Sequence, residues 1–243
     1  MCSHLQTPHY SFNEANSSLV TNVIVATLKQ TVNSAPINLI EIAQTARTTS
    51  RVVSDVLTEL TELDLSSVTT LDSLYRFKIA LEAVRLGASE RATKALTWQE
   101  FEEFTQQCLG ITGFVTRKGV VFNDGKRRWQ IDLVAVKDRT LLAIDCKHWE
   151  SPNYSSKFGK AVEHQKQSLT PLIRYLRAHG SLVSREVWAL PMIITLFQPR
   201  ESMIDKVVLV SVGQLADFLE HVTPYDEELP FISNRMDAES SIS

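Results

Sequence analysis

At 243 residues the chain has room for one large or two modest domains. A hydrophobic fraction of 44% and a net charge of −3 fit a soluble globular protein and neither demand nor exclude a nucleic-acid partner. Cys2, Cys108 and Cys146 form no close pair, which argues against a disulfide framework or zinc motif and fits a reducing compartment. No apolar run approaches the roughly 18 residues of a membrane span, and the polar N-terminus lacks a signal-peptide pattern. The chain therefore reads as cytoplasmic, without a membrane partner.

Residues 1–16 are polar and read as a flexible N-terminus. From Ser17, the apolar positions Val20, Val23, Ile24 and Leu28 recur at helical spacing. Asn38, with Glu41 three residues later, reads as a capping box that opens a short helix to about Arg47. Thr48-Thr49-Ser50 is a tight turn with a new N-cap, and Val53, Val56, Leu57 and Leu60 mark a third helix. Segment 65–76 is expected to form a small wing, after which Phe77, Ala80, Leu81 and Val84 restart a helix ending near Gly87. Residues 17–90 thus resemble a winged helix-turn-helix domain. Over 17–70, however, Lys29, Arg47 and Arg51 face Glu41, Asp55, Glu59, Glu62 and Asp64. That balance repels a phosphate backbone, so DNA binding and protein docking both stay open for this domain.

Residues 88–96 read as a linker. Thr97 and Glu100 make another capping box, opening a helix with the core stripe Phe101, Phe104, Cys108 and Leu109. Glu102 shares a face with Trp98, Thr105 and Leu109; periodicity alone makes it a surface residue, although an acid beside a buried stripe is unusual. A strand over 113–122 is expected to turn at Asn123-Asp124-Gly125. Around that turn Arg117, Lys118, Lys126, Arg127 and Arg128 outnumber Asp124, forming the best candidate nucleic-acid-binding patch in the chain.

Two apolar strands follow, 129–137 and 140–147, joined by a short turn at Asp138-Arg139. Burying unpaired carboxylates is costly, yet Asp132, Asp145 and Lys147 interrupt these strands. If Lys137 faces Thr140, Asp132 lies opposite Asp145, and alternation puts Lys147 on the face of Asp145. Two acids and an ammonium then converge. A divalent cation would satisfy the acids with hard oxygen ligands while the lysine positions or activates a water; a salt-bridged hairpin is the plain alternative. Beyond a polar loop at 148–156, a helix is expected from about Lys157 to His179, kinked or divided at Pro171. Its early face carries Lys160, His164, Gln165 and Lys166. A strand over 187–197, in which Pro191 suggests an edge or bulge, is followed by a strand over 207–212 and a helix to about His221. Residues 229–243 read as a flexible tail.

Residues 96–222 resemble, in order and spacing, the α/β restriction-endonuclease-like core of the PD-(D/E)XK superfamily, a mixed central sheet flanked by helices. The likeness is particularly to Mrr-type restriction endonucleases and archaeal Holliday-junction resolvases. It rests on Trp98-Gln-Glu-Phe-Glu-Glu-Phe followed by Gly113-Phe114, on Ile131-Asp132, on Ile144-Asp-Cys-Lys147, and on Gln165 in the next helix. The family's helix acid stands about twelve residues before the aromatic of the Gly-Phe pair, which points to Glu102. Two departures are the absent proline before Asp132 and the shorter Asp145 in place of the commoner Glu. The mostly α winged-helix domain before such a core is also similar to an archaeal group of uncharacterised nuclease-like proteins.

The resemblance implies a metal-dependent DNA endonuclease, structure- or modification-specific. It implies that Glu102, Asp132, Asp145 and the Cys146 carbonyl hold Mg²⁺ or Mn²⁺, that Lys147 orients or deprotonates the attacking water, and that Gln165 gives a supporting contact. His148 reads as structural. Alternatives are a non-catalytic DNA-binding or protein-assembly module, in which a nuclease-like core serves as scaffold, and an RNA-processing nuclease. A homodimer is expected, because cutting two strands is simplest with two sites about a two-fold axis.

Overall fold

The computed structural model of the chain describes residues 14–67, 69–125, 127–148, 155–182 and 184–235. It divides into two compact units, Met1–Ala95 and Leu96–Ser243. Among the described residues no helix is long and apolar enough to cross a membrane.

The first unit is helical: α1 (Glu14–Gln30), α2 (Leu39–Ala46), α3 (Ser50–Thr61), α4 (Ser73–Arg85) and α5 (Ser89–Thr93). Asn38 accepts the amides of Ile40 and Glu41 to start α2, and Thr49 accepts that of Val52 to start α3, so orphan N–H groups are satisfied at both ends. Between them Arg47 takes the left-handed conformation that ends α2 and turns the chain. Val23, Ile24, Leu28, Ile42, Val53 and Leu57 are fully buried. Residues 14–16 belong to α1 rather than to a loose terminus. The expected wing is reduced to a single bridge between Pro36 and Thr70, because Asp72 caps α4 and draws the helix start forward to Ser73. The buried residues of α4 are Arg76, Ile79, Ala80, Glu82 and Ala83, so the stripe at 76, 79, 80 and 83 runs one position off the apolar pattern. Arg76 can be buried because its guanidinium donates to the Leu28 carbonyl and to Thr31 Oγ1. The expected linker at 88–96 forms α5.

The second unit is a mixed α/β layer structure, a seven-stranded mixed sheet with helices packed on it. Helix α6 (Trp98–Ile111) leads into β1 (Val115–Asp124), β2 (Arg127–Lys137) and β3 (Thr140–Lys147), an antiparallel meander. Helix α7 (Ser155–Ala178) crosses over to β4 (Glu186–Thr195), parallel to β3. Then come β5 (Met203–Ile204), β6 (Val207–Ser211), α8 (Leu215–His221) and β7 (Ile232–Arg235). The strand order is β1-β2-β3-β4-β6-β5, with β7 also on β4. Thr97 and Glu100 exchange both bonds of the capping box that opens α6.

Three elements differ from expectation. Helix α7 runs through Pro171 undivided; Leu169, Leu172 and Ile173 on both sides of the proline are buried against the sheet, and that packing offsets the missing hydrogen bond. Strand β4 is central, not an edge. Pro191 is tolerated because it faces Ala143 on one side and on the other falls between β7, which pairs with 186–189, and β6, which pairs with 192–195. The expected tail contributes β7, while 236–243 lie outside the described residues.

Candidate active site

The turn at Asp138, left-handed at φ 53°, sets Lys137 against Thr140, and the pairing runs unbroken to Leu133↔Ile144. The next pair in that register would be Asp132 and Asp145, but there the ladder stops. Instead Asp132 Oδ2 accepts the amide of Cys146 at 2.9 Å. The break coincides with a distortion on β1. Gly119, at φ 60°, stands across from Asp132, and that position is missing from the otherwise continuous β1–β2 register. Inward parity changes here: Val134 joins the core beneath α7 on one side of Asp132, and Ile131 and Trp129 join it on the other. A glycine inside a strand commonly marks such a distortion, and this one releases the Asp132 carboxylate from ladder geometry.

Asp145 follows Leu141 and Ala143 on the face that α7 covers and is only 9% exposed. Lys147 Nζ donates to its Oδ1 at 2.7 Å and lies 2.7 Å from Oδ2 as well. Only the Oδ1 contact has hydrogen-bond geometry, so Oδ2 is buried without a donor among the described residues. Burial foremost pushes the Asp145 carboxyl up to about 7; the Lys147 ammonium opposes this and the Asp132 charge adds to it.

Glu102 reaches the same locality from α6. Its Oε1 accepts the indole N–H of Trp98, and its Oε2 lies 3.7 Å from Lys118 Nζ. The Trp98 ring centroid is in turn 5.7 Å from Lys147 Nζ. Burial first, then the charges of Asp132, Asp145 and Glu102, hold the Cys146 thiol well above the usual range. Gln165 lies in the buried stripe of α7 between Val162 and Leu169, fully buried, with both amide atoms unpaired among the described residues. His148 packs edge-on against Phe101, centroids 5.4 Å apart.

His164, on the early face of α7, carries no role in the sequence pattern. Its ring lies 5.5 Å from that of Trp129. Burial, then the cations Arg127 and Lys147, lower its pKa against the pull of Asp132. The signal for it was its place one residue before Gln165 on the crossover helix. The predicted basic patch does not form one surface. Lys118 is engaged by Glu102 and Glu103, at 3.7 and 3.6 Å. Arg127 lies 3.7 Å over Trp129 and donates to Gln167. By register Arg128 lies on the face of Lys118, whereas Arg117, opposite Val134, lies on the face of Arg127 at the far end of the hairpin. Lys126 lies outside the described residues.

The residues offer a hard cation oxygen donors from three elements, Glu102 on α6, Asp132 on β2 and Asp145 on β3; Gln165 is buried on α7 with its amide making no hydrogen bond among the described residues. Among the described residues no three His, Cys, Asp or Glu side chains are already grouped as a metal site. Lys147 stands on Asp145, and Trp98 with Lys118 draws Glu102 aside.

No family model matches the chain. Over 138 residues it is 24% identical to an uncharacterised protein of Archaeoglobus fulgidus, covering 56% of this chain and all of that one. Among solved structures it is similar to AF1548, a protein of unknown function, at a TM-score of 0.31 and 21% identity over 45% of this chain and 55% of that one. It is also similar to VC1899 from Vibrio cholerae, at a TM-score of 0.32 and 17% identity over 85% of this chain and 51% of that one. The chain thus spans about half the length of both solved proteins.

Proposed function

We propose that residues 96–222 form a restriction-endonuclease-like core of the PD-(D/E)XK type that hydrolyses DNA phosphodiester bonds with a divalent metal. What carries the reading is the carboxylate pair Asp132 and Asp145 at the broken end of the β2–β3 ladder, with Lys147 on Asp145 and Glu102 beside them. When bound by Asp132, Asp145, the Cys146 carbonyl and Glu102, Mg²⁺ or Mn²⁺ would polarise water and neutralise charge developing on the phosphate. Lys147, released from Asp145, would hold the attacking water through its ammonium, or would take the water's proton once it had given one of its own to solvent. Gln165, whose amide has no other described partner, donates to that water or to a carboxylate. The buried wall beneath α7 keeps bulk solvent from Asp145, which strengthens the interactions made there.

The first unit is, in this account, a winged helix without a developed wing, whose acidic third helix suits protein docking or dimerisation better than a phosphate backbone. A catalytically silent scaffold is favoured by one observation, that Lys147 and Trp98 already occupy the acids. A substrate panel separates the two readings. Duplex, single strand, flap, four-way junction, methylated duplex and structured RNA are incubated with the full chain in Mg²⁺ or Mn²⁺. Metal-dependent cutting of DNA supports the nuclease, cutting of RNA alone moves the substrate class, and silence from folded protein supports the scaffold.

A further inference from the structure

Trp98 is not explained by the core. The buried residues of α6 are Phe101, Phe104, Thr105 and Leu109, whereas Trp98 is 40% exposed. It is nevertheless fixed. Its indole N–H is tied to Glu102 Oε1, and its ring lies 5.7 Å from Lys147 Nζ. An exposed aromatic ring is thereby anchored beside the ammonium that the proposed chemistry uses. Its one polar atom is already satisfied, so only its apolar surface is left to offer a ligand. Anchoring also removes most of the entropy cost of ordering such a ring on binding.

A base in an intact duplex has both faces covered by its neighbours, whereas an unpaired base has a face free for an aromatic side chain. We infer that Trp98 stacks on an unpaired nucleobase adjoining the phosphate at Lys147, so that the substrate is DNA with single-stranded character at the cut. This rests on the nuclease reading above for the position of the phosphate. It differs from a merely structural role, in which Trp98 only steers Glu102 through the indole N–H.

Two substitutions separate these roles. Trp98→Phe keeps a stacking ring and loses the bond to Glu102; Trp98→Leu loses both. Binding of a labelled oligonucleotide, single-stranded or annealed to its complement, is measured by fluorescence anisotropy with the full-length chain in EDTA. The wild type should prefer the single strand. Trp98→Leu should weaken single-strand binding about tenfold while scarcely changing duplex binding, and Trp98→Phe should keep most of the preference. Equal binding of both forms by the wild type, or a Phe variant that falls as far as the Leu variant, would overturn the inference. Cleavage of the same oligonucleotides in Mg²⁺ tests the underlying reading separately. Selective binding without cutting would end the nuclease and leave the stacking site standing. Cutting of both forms alike, unchanged in Trp98→Leu, would do the reverse.

Discussion

Asp145→Asn should change how stability depends on pH. In the folded protein the Asp145 carboxyl is raised from its ordinary 3.8 to about 7. The folded state therefore holds a proton that the unfolded chain gives up. The corresponding contribution to stability is whole below about pH 4, falls as pH rises, and is gone above about pH 7. With roughly 1.4 kcal/mol for each pH unit between the two values, wild type should lose about 4 kcal/mol across that window that the neutral variant keeps. Because Asp145 is only 9% exposed, solvent screening reduces this little. Trp98, Trp129, Trp149 and Trp188 all belong to the second unit, so tryptophan fluorescence during urea unfolding follows that unit alone. Unfolding free energies of wild type and variant, measured from pH 4 to pH 8 in EDTA, should diverge steadily in favour of the variant. Saturating Mg²⁺ should return stability to wild type above pH 7, about 2.7 kcal/mol at a hundredfold excess over Kd, and little to Asp145→Asn. Two parallel curves would refute the argument, because Asp145 would then be ionised in the fold at no cost.

Gln165→Met removes two buried unpaired atoms and should raise metal-free stability by about 1–3 kcal/mol while lowering turnover; lost stability would make Gln165 a structural residue. Lys147→Ala should slow cleavage about a hundredfold or more and leave DNA affinity nearly unchanged; the opposite pattern would make Lys147 a phosphate contact. Arg127, stacked on Trp129 near the acids, should reduce the salt slope of DNA binding by about one when replaced by alanine, and Arg128 should not. Equal effects would show that one DNA surface spans both faces of the hairpin.

The β2–β3 hairpin was legible because a short turn leaves one register and alternation then fixes the faces. The start of α6 was legible because a capping box is local chemistry. Elements settled by distant partners were not. Ile232–Arg235 carries no strand pattern of its own and is recruited by the half of β4 that β6 leaves free. Pro191 signalled a missing donor correctly, but an edge is only one way to accommodate it. The cations between Arg117 and Arg128 looked like one patch because sequence proximity ignores the alternation of faces along each strand. Glu102 needed a family's spacing to stand out from an ordinary helix surface, whereas its bond to Trp98 exists only in three dimensions.

The most direct test is cleavage of the preferred DNA substrate by wild type and Asp145→Asn side by side, in Mg²⁺, in Mn²⁺ and in EDTA. Wild type should cut in either metal and not in EDTA, and the variant should lose cutting while remaining folded. Undiminished cutting by Asp145→Asn would remove Asp145 from the chemistry, and with it the site built around the broken end of the β2–β3 ladder.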